Sequence, residues 1–440
     1  MKVTLGSLTS EEPCYGISAT AVTRTDENQP KYIRITDFND FGIEENHEYV
    51  TTDNYAEKHI LKPGDILFAR TGATVGKTYY YDGSIGKAVF AGYCIRFRFD
   101  EKKVFPKYAY WYTKTSAFIN WVKGIQRPSG QPNINKEEYK SFEIILPDHE
   151  TQKRVSGELD VALEKRKDRL TKANELLMSI KSVMTEKLSI SLNTFNNNIS
   201  FAIKLSKVLN NKTHRLDPKC YSDRFLKIID CLNKSCYKTH KLKDLITNYI
   251  SGDWGKSSED ISDSYVKCLV IRATEFDNSQ NIRINENKVQ YRAISIKSLE
   301  KQNKEIGDIL VEKSGGSKDQ PVGRVVFVDR LDYNNTPISY SNFLTKLKID
   351  QNKIDPYYLF EYLRFVYNIG LTEVMQNQTN GIRNLIMDEY LDIPVIIPPN
   401  DYEIGQSIKD IRNRALELQI EAENKWQEAK KQFEKELLGE

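Results

Sequence analysis

The feature that most limits what this chain can fold into is a repeat of very long period. "IRITDF" at 33–38 returns as "IRATEF" at 271–276, and "GDILF" at 64–68 as "GDILV" at 307–311. "VGKTYYYDG" at 75–83 returns as "VGRVVFVDR" at 322–330, and "FPKYAYWY" at 105–112 as "DPYYLFEY" at 355–362. Finally "EEYKSFEIILP" at 137–147 returns as "DEYLDIPVIIP" at 388–398. The offsets rise monotonically: 238 (33 to 271), 243 (64 to 307), 247 (75 to 322), 250 (106 to 356) and 251 (147 to 398). Five landmarks in one order indicate two copies of one domain, the second with slightly longer loops.

One of these landmarks, "GDILFARTGATVGKTYYYDG" at 64–83, carries the glycines and the Gly-Lys-Thr of a nucleotide pocket. A phosphate-cradling loop needs Gly, four residues, then Gly-Lys-Ser/Thr, with a helix behind it. Counting back from Gly76-Lys77-Thr78, the first glycine belongs at 71, which is Thr71. The residues that follow, Tyr79-Tyr80-Tyr81-Asp82-Gly83, read as a strand entering a turn. The second copy has Gly323-Arg324-Val325 at the same place, without the Lys and without the hydroxyl. The glycines are therefore expected to serve backbone geometry, through positive φ and close chain approach. A P-loop nucleotide-binding enzyme is the disfavoured reading from a different functional class.

After each copy the hydrophobic period becomes helical. Leu159, Leu163, Leu170, Ala173, Leu177, Ile180 and Met184 follow steps of three, four and seven, as do Ile408, Ile411, Ala415, Leu418, Ala422 and Ala429 in the tail. Each stretch is about 35 residues, or roughly 50 Å of helix. Neither is stable alone in water, so an antiparallel pair is expected. The competing arrangement lays each helix on its own domain. In the paired arrangement, faces bearing Lys165, Lys167, Arg169, Lys430 and Lys431 stay open to a partner subunit or to DNA phosphate. "SLNTFNNNIS" at 191–200 reads as a polar linker, and "HRLDPKCYSDRFLKIIDCL" at 214–232 as a turn and short helix leading into the second copy.

Composition excludes more than it assigns. The 440 residues are 39% hydrophobic and 28% charged, enough for two or three domains with their own cores. No apolar run reaches the roughly 18 residues of a membrane span, and the N-terminus lacks a signal-peptide core, so a cytoplasmic protein is expected. A net charge of +3 means that nucleic-acid binding must come from local patches. Cys14, Cys94, Cys220, Cys231, Cys236 and Cys268 form no CxxC pair, and the five histidines are scattered, so no metal site is assigned. There is no Asn/Asp-Pro-Pro-Tyr/Phe methyltransferase motif, no GxGxxG and no HExxH. No catalytic or cofactor-binding residue is assigned in this chain.

What recurs is a pair of polar loops in each copy. The loop after the Gly-Asp-Ile-Leu strand differs sharply between them: "FARTGAT" (68–74) against "VEKSGGSKDQP" (311–321). A second loop is "KGIQRPSGQPNIN" (123–135) in the first copy and "MQNQTNGIRN" (375–384) in the second. Arg and Lys recognise guanine, Asn and Gln adenine, and Ser and Thr either. A solvated turn rich in Gly, Pro and Asn has the same composition, but its presence in both copies favours base reading. The DNA-binding candidates are Arg70, Thr71, Lys77, Gln126, Arg127, Ser129 and Gln131 in the first copy. In the second they are Lys313, Ser314, Lys318, Gln320, Gln376, Asn377, Gln378 and Arg383.

Together these features resemble the specificity (S) subunit of type I restriction-modification enzymes. The closest stretches are "PGDILFARTGATVGK" (63–77), "GDILVEKSGGS" (307–317), "IILPDHETQKRV" (144–155) and "RLDPKCYSDRF" (215–225). The first copy begins at Lys2-Val3, without a counterpart of this last segment. The resemblance implies an α+β fold class: two repeated target-recognition domains of mixed and antiparallel β-structure with short helices, separated by two long antiparallel coiled-coil helices. The expected division is a first target-recognition domain at 1–150, a central helix at 151–190 and a linker at 191–213. A second domain with its lead-in helix follows at 214–400, and a last helix at 401–440. It further implies a non-catalytic subunit that reads a bipartite, asymmetric site on double-stranded DNA. Its partners would be methyltransferase subunits, two of them, and restriction/translocase subunits. S-adenosylmethionine, ATP and magnesium would sit on those partners, with no cofactor here. The equivalent subunit of a solo methyltransferase or related phage-defence complex is the near alternative. A repeat-built scaffold with no nucleic-acid role is the distant one.

Overall fold

The computed structural model describes residues 1–43, 47–52, 54–125, 132–191, 202–209, 215–277, 282–285, 288–317, 319–379 and 381–438. It separates into two compact units, Met1–Ala173 with Glu417–Glu440, and Asn174–Leu416.

In the first unit four short strands form one antiparallel sheet in the order Cys14–Tyr15, Cys94–Phe97, Ile66–Ala69, Thr78–Tyr80. Side chains alternate along a strand, and here both faces are covered. Ile66, Phe68, Ile95 and Phe97 enter one core, while Leu67, Ala69, Tyr79 and Cys94 enter another. That is why the Gly-Asp-Ile-Leu-Phe landmark reads as an unbroken apolar run. Lys31–Ile33 runs parallel to Ala88–Phe90 beside this sheet, and Lys2–Thr4 pairs antiparallel with Glu143–Ile145.

The second unit repeats the plan. Its main sheet runs Ile246–Ser251, Leu344–Ile349, Ile309–Glu312, Val325–Phe327. Ile309 and Val311 face one core and Leu310 the other. Tyr265–Ile271 is parallel to Thr336–Tyr340, and Lys238–Lys241 pairs with Pro394–Ile397. Both parallel pairs place an Ile at the end of the first strand opposite an aromatic: Ile33 with Phe90, and Ile271 with Tyr340. The two sequence copies are therefore two copies of one topology. In each, a proline opens the next helix, Pro106–Tyr112 or Pro356–Asn368, where a missing N–H is tolerated. The lead-in segment 215–225 becomes a turn and the helix Asp223–Asn233, which buries Phe225, Ile228 and Leu232 in the second unit's core.

The helical periods form helices at His149–Lys187 and Asp401–Leu438. Within the first unit their partners descend as the first helix ascends: Arg154 with Glu436 (2.6 Å), Arg166 with Glu423 (3.4 Å), Arg169 with Glu421 (3.6 Å). They are antiparallel there. Such surface pairs contribute at most about 1 kcal/mol each, so the apolar contacts carry the docking. Trp426 lies against Trp111 (ring centroids 5.7 Å apart) and Phe41 (6.0 Å), and Phe433 against Tyr108 (6.1 Å). In the second unit Ile180 and Met184 share a core with Ile404, Ile408 and Tyr358. The antiparallel pairing expected from sequence is present within the first unit, and there the tail's Trp426 and Phe433 cover the first domain's core rather than that of the domain they follow in sequence. The five cations expected on open helix faces differ in their surroundings. Lys165, Lys167 and Lys431 are exposed, but Arg169 is paired with Glu421 and Lys430 lies near the Trp426 ring. Among the described residues no helix is long and apolar enough to cross a membrane.

Candidate nucleic-acid interface

The Gly-Lys-Thr segment has no phosphate cradle. Gly72 and Gly76 have φ of +74° and +86°, and a Cβ on Gly76 would stand 2.6 Å from Val122. The Gly76 N–H donates to Ala69 O (3.0 Å) and Tyr139 Oη (3.1 Å), and the Gly72 N–H to Pro132 O (3.1 Å). The strand Thr78–Tyr80 follows instead of a helix. The amides that would hold a phosphate are engaged by the protein itself. Gly323, at the matching place, also has positive φ (+107°), and a Cβ there would meet Thr372 at 2.8 Å. Close packing explains both glycines.

What the fold does build is a corner where the two polar segments of the first copy meet. The Arg70 N–H donates to Tyr93 O (2.9 Å), and Arg70 O accepts from the Ile134 N–H (2.8 Å). Thr71 forms a bridge with Asn133, and its hydroxyl donates to Pro132 O (3.2 Å). The Arg70 guanidinium lies over the Tyr15 ring at 4.8 Å. Its Nε is buried with no hydrogen-bond partner among the described residues, so the side chain keeps donor capacity. Gln126, Arg127, Ser129 and Gln131 lie outside the described residues. The segment's first residues, Lys123 to Ile125, end the helix Ser116–Ile125 and are not loop. Lys77 lines a cleft of about 500 Å³ with Lys114, Lys123, Trp426 and Lys430.

The second unit builds the same corner with different side chains. The Lys313 N–H donates to Phe343 O (2.9 Å), and Lys313 O accepts from the Leu385 N–H (2.7 Å). The Ser314 hydroxyl bonds Asn384 Oδ1 at 2.8 Å. Lys313 Nζ donates to Ser251 Oγ (2.8 Å), and burial pushes its pKa below the ordinary lysine value. Most of the described part of the polar segment 375–384 is paired strand rather than irregular loop. Gln376–Thr379 pairs with Ile382–Leu385, which pairs with Ser314–Gly315 in a three-stranded sheet. This sheet sets Arg383 opposite both Gly315 and Gln378, and Asn377 opposite Asn384. Asn377 and Gln378 are exposed. Gln376 is a brace: its Nε2 donates to Glu373 O (3.0 Å) and its Oε1 accepts from the Val322 N–H (3.4 Å). Gln320 is exposed on the wall of a cleft of about 760 Å³ shared with Trp254, Thr274, Asn342 and Phe343. Lys318 lies outside the described residues.

At the floor of that cleft Glu312 and Arg324 form a bidentate ion pair (2.8 and 3.1 Å), the carboxylate 1% and the arginine 7% exposed. Arg324 also donates to Ala273 O (3.0 Å). It matches Lys77 of the first copy (offset 247), and Glu312 matches Ala69 (offset 243). This ion pair belongs to the second copy alone.

Residues 17–177 match the family model described as the type I restriction modification DNA specificity domain. The second unit's strands lie outside that match, and the unit repeats the first unit's sheet order and its corner. In backbone architecture the chain is similar to one from structural work on complex assembly and conformational transition of the type I R-M system. The identity is 12% and the TM-score 0.49, over 98% of this chain and 95% of that one. It is also similar to the S subunit of the Type-I restriction-modification system from M. genitalium (13% identity, TM-score 0.45, 98% and 95% covered). A third similar structure is the HsdS subunit from Thermoanaerobacter tengcongensis (13%, TM-score 0.36, 98% and 94% covered). No curated protein matches the chain in sequence.

Sequence reasoning missed the supports of each unit's corner: Tyr15 and Ser251, the glycines that follow them, and the turns at Tyr93 and Phe343. Gly16 and Gly252 donate to Cys94 O (3.1 Å) and Leu344 O (3.0 Å). A Cβ on either would stand 2.3 Å from Ala91 O or 2.1 Å from Tyr340 O. The signal was present, because the offset of 236 (16 to 252) continues the rising series in the N-terminal direction.

Proposed function

We propose that the chain is the DNA-recognition subunit of a type I restriction-modification assembly, with each unit reading one half of a bipartite, asymmetric site. The observation that carries this is the repeated corner. Equivalent backbone hydrogen bonds hold Arg70 in one unit and Lys313 in the other, and equivalent strand pairing sets Thr71 opposite Asn133 and Ser314 opposite Asn384. A common frame presenting different donors is what two half-sites of different sequence require. Arg70 is suited to bidentate recognition of guanine, Lys313 to a single-point donor role, and Asn377 and Gln378 to adenine. In this reading the subunit is non-catalytic and cytoplasmic, and its long helices fix the spacing of the half-sites and dock two methyltransferase subunits. S-adenosylmethionine, ATP and magnesium belong to the methyltransferase and restriction subunits.

The test is selection from a randomised duplex pool by the full chain complexed with its methyltransferase subunit. The proposal expects two short specified blocks separated by an unspecified spacer. One contiguous block, or no preference, would overturn it.

A further inference from the structure

The turn that receives the corner's hydrogen bond ends, in both units, on an exposed aromatic ring. Residues 91–94 form a turn closed by Cys94 N–H to Ala91 O (2.8 Å), and residues 341–344 one closed by Leu344 N–H to Ser341 O (2.9 Å). Their third residues are Tyr93, 61% exposed, and Phe343, 43% exposed. A single exposed aromatic is ordinary on a protein surface. Two at the same offset of 250 (93 to 343) are not, because the neighbouring residues have diverged: Ala91-Gly92 against Ser341-Asn342.

Each turn is braced from two sides in the same way. From one side the candidate reader's N–H donates to the aromatic residue's own carbonyl, Arg70 to Tyr93 and Lys313 to Phe343. From the other, the close-approach glycine's strand crosses beneath: Ile17 N–H to Phe90 O, and Asp253 N–H to Tyr340 O, both 2.9 Å. The ring is thus carried on a fixed backbone directly bonded to a candidate base reader. Because the backbone beneath each ring is already fixed, binding has only the ring's own rotamer freedom left to restrict. The base edges of the major groove offer one apolar feature, the 5-methyl group of thymine.

We infer that Tyr93 and Phe343 each read a thymine through its methyl group, one in each half-site, beside the base read by Arg70 or Lys313. This rests on the DNA-recognition reading above. An apolar contact displaces no counterion, so it predicts a loss of base preference without a change in salt dependence, unlike a phosphate contact.

The test uses the full chain with its methyltransferase subunit and two variants, Phe343→Ala and Tyr93→Ala. Each should lose preference at one thymine position of one half-site, with cognate affinity falling roughly ten-fold. The salt slope, the non-cognate affinity and the thermal unfolding profile should stay at the wild-type values. Deoxyuridine at that position should weaken wild-type binding similarly and add nothing further to the variant's loss. Unchanged base preference, loss at a base other than thymine, or an equal fall on all DNA would each overturn the inference. A wild-type chain with no sequence preference would sink the DNA-recognition reading itself. A specific wild type with indifferent variants would sink the aromatic assignment alone.

Discussion

Arg324→Ala should be among the most damaging single substitutions in the second unit, although the first copy has no arginine at that place. The substitution removes both hydrogen bonds to Glu312 and leaves a carboxylate that is 1% exposed without its cation. At about 3 Å and an effective dielectric constant near 20, the lost attraction is roughly 5 kcal/mol. Breaking a buried pair by removing one partner costs about 3–5 kcal/mol in general. The first copy shows a packed alternative, since Ala69 and Lys77 occupy the matching positions. Glu312→Ala combined with Arg324→Ala should cost about 2 kcal/mol less than the sum of the two single changes, because each single change leaves one buried charge without its partner and the double variant leaves neither. Amide hydrogen exchange across Ile309–Glu312 and Val325–Phe327 measures this locally, without assuming that the two units unfold together. Costs below about 1 kcal/mol for Arg324→Ala, or strict additivity in the cycle, would refute the reasoning.

Gly252→Ala forces a Cβ to within 2.1 Å of Tyr340 O. It should cost about 1–3 kcal/mol by overpacking, seen in thermal unfolding, and should blur the second half-site while sparing the first. Trp426→Ala, removing a ring 3% exposed against Trp111 and Phe41, should cost about 3–5 kcal/mol. Hydrogen exchange should then rise in Pro106–Tyr112, far away in sequence. Burial pushes the Lys114 ammonium down from 10.5 to about 8, a difference of about 3 kcal/mol. Below pH 8 both folded and unfolded states carry the proton and the full penalty applies. Between pH 8 and 10.5 the unfolded state holds more protons, so stability rises with pH. The stability of wild type relative to Lys114→Met should accordingly improve from pH 8 to pH 10 in urea titrations. A flat difference would count against a desolvated Lys114.

Much of this architecture was legible from the repeat, because landmark order survives where side chains diverge. The helical stretches were legible from their period. What escaped were contacts between residues far apart in the chain. Trp426 and Phe433 are buried, yet the steps counted along the tail passed over them, since their partners lie on the domain rather than on the other helix. The joining of the two polar segments, through Thr71 with Asn133 and through Ser314 with Asn384, depends on strand pairing that composition does not reveal. Gln376 has a base reader's side chain but braces its own turn, and residue type cannot distinguish those roles. The supporting glycines at 16 and 252 carried no local motif, only a place in the offset series.

The central claim is that two equivalent domains read independently, and exchanging one of them tests it most directly. Residues 2–147 would be replaced by a recognition domain from a type I specificity subunit, and the methylome of cells expressing the chain with its methyltransferase subunit sequenced before and after. One half of the recognised sequence should change while the other half and the spacer length remain. A change in both halves, or a changed spacer with the long helices untouched, would contradict it.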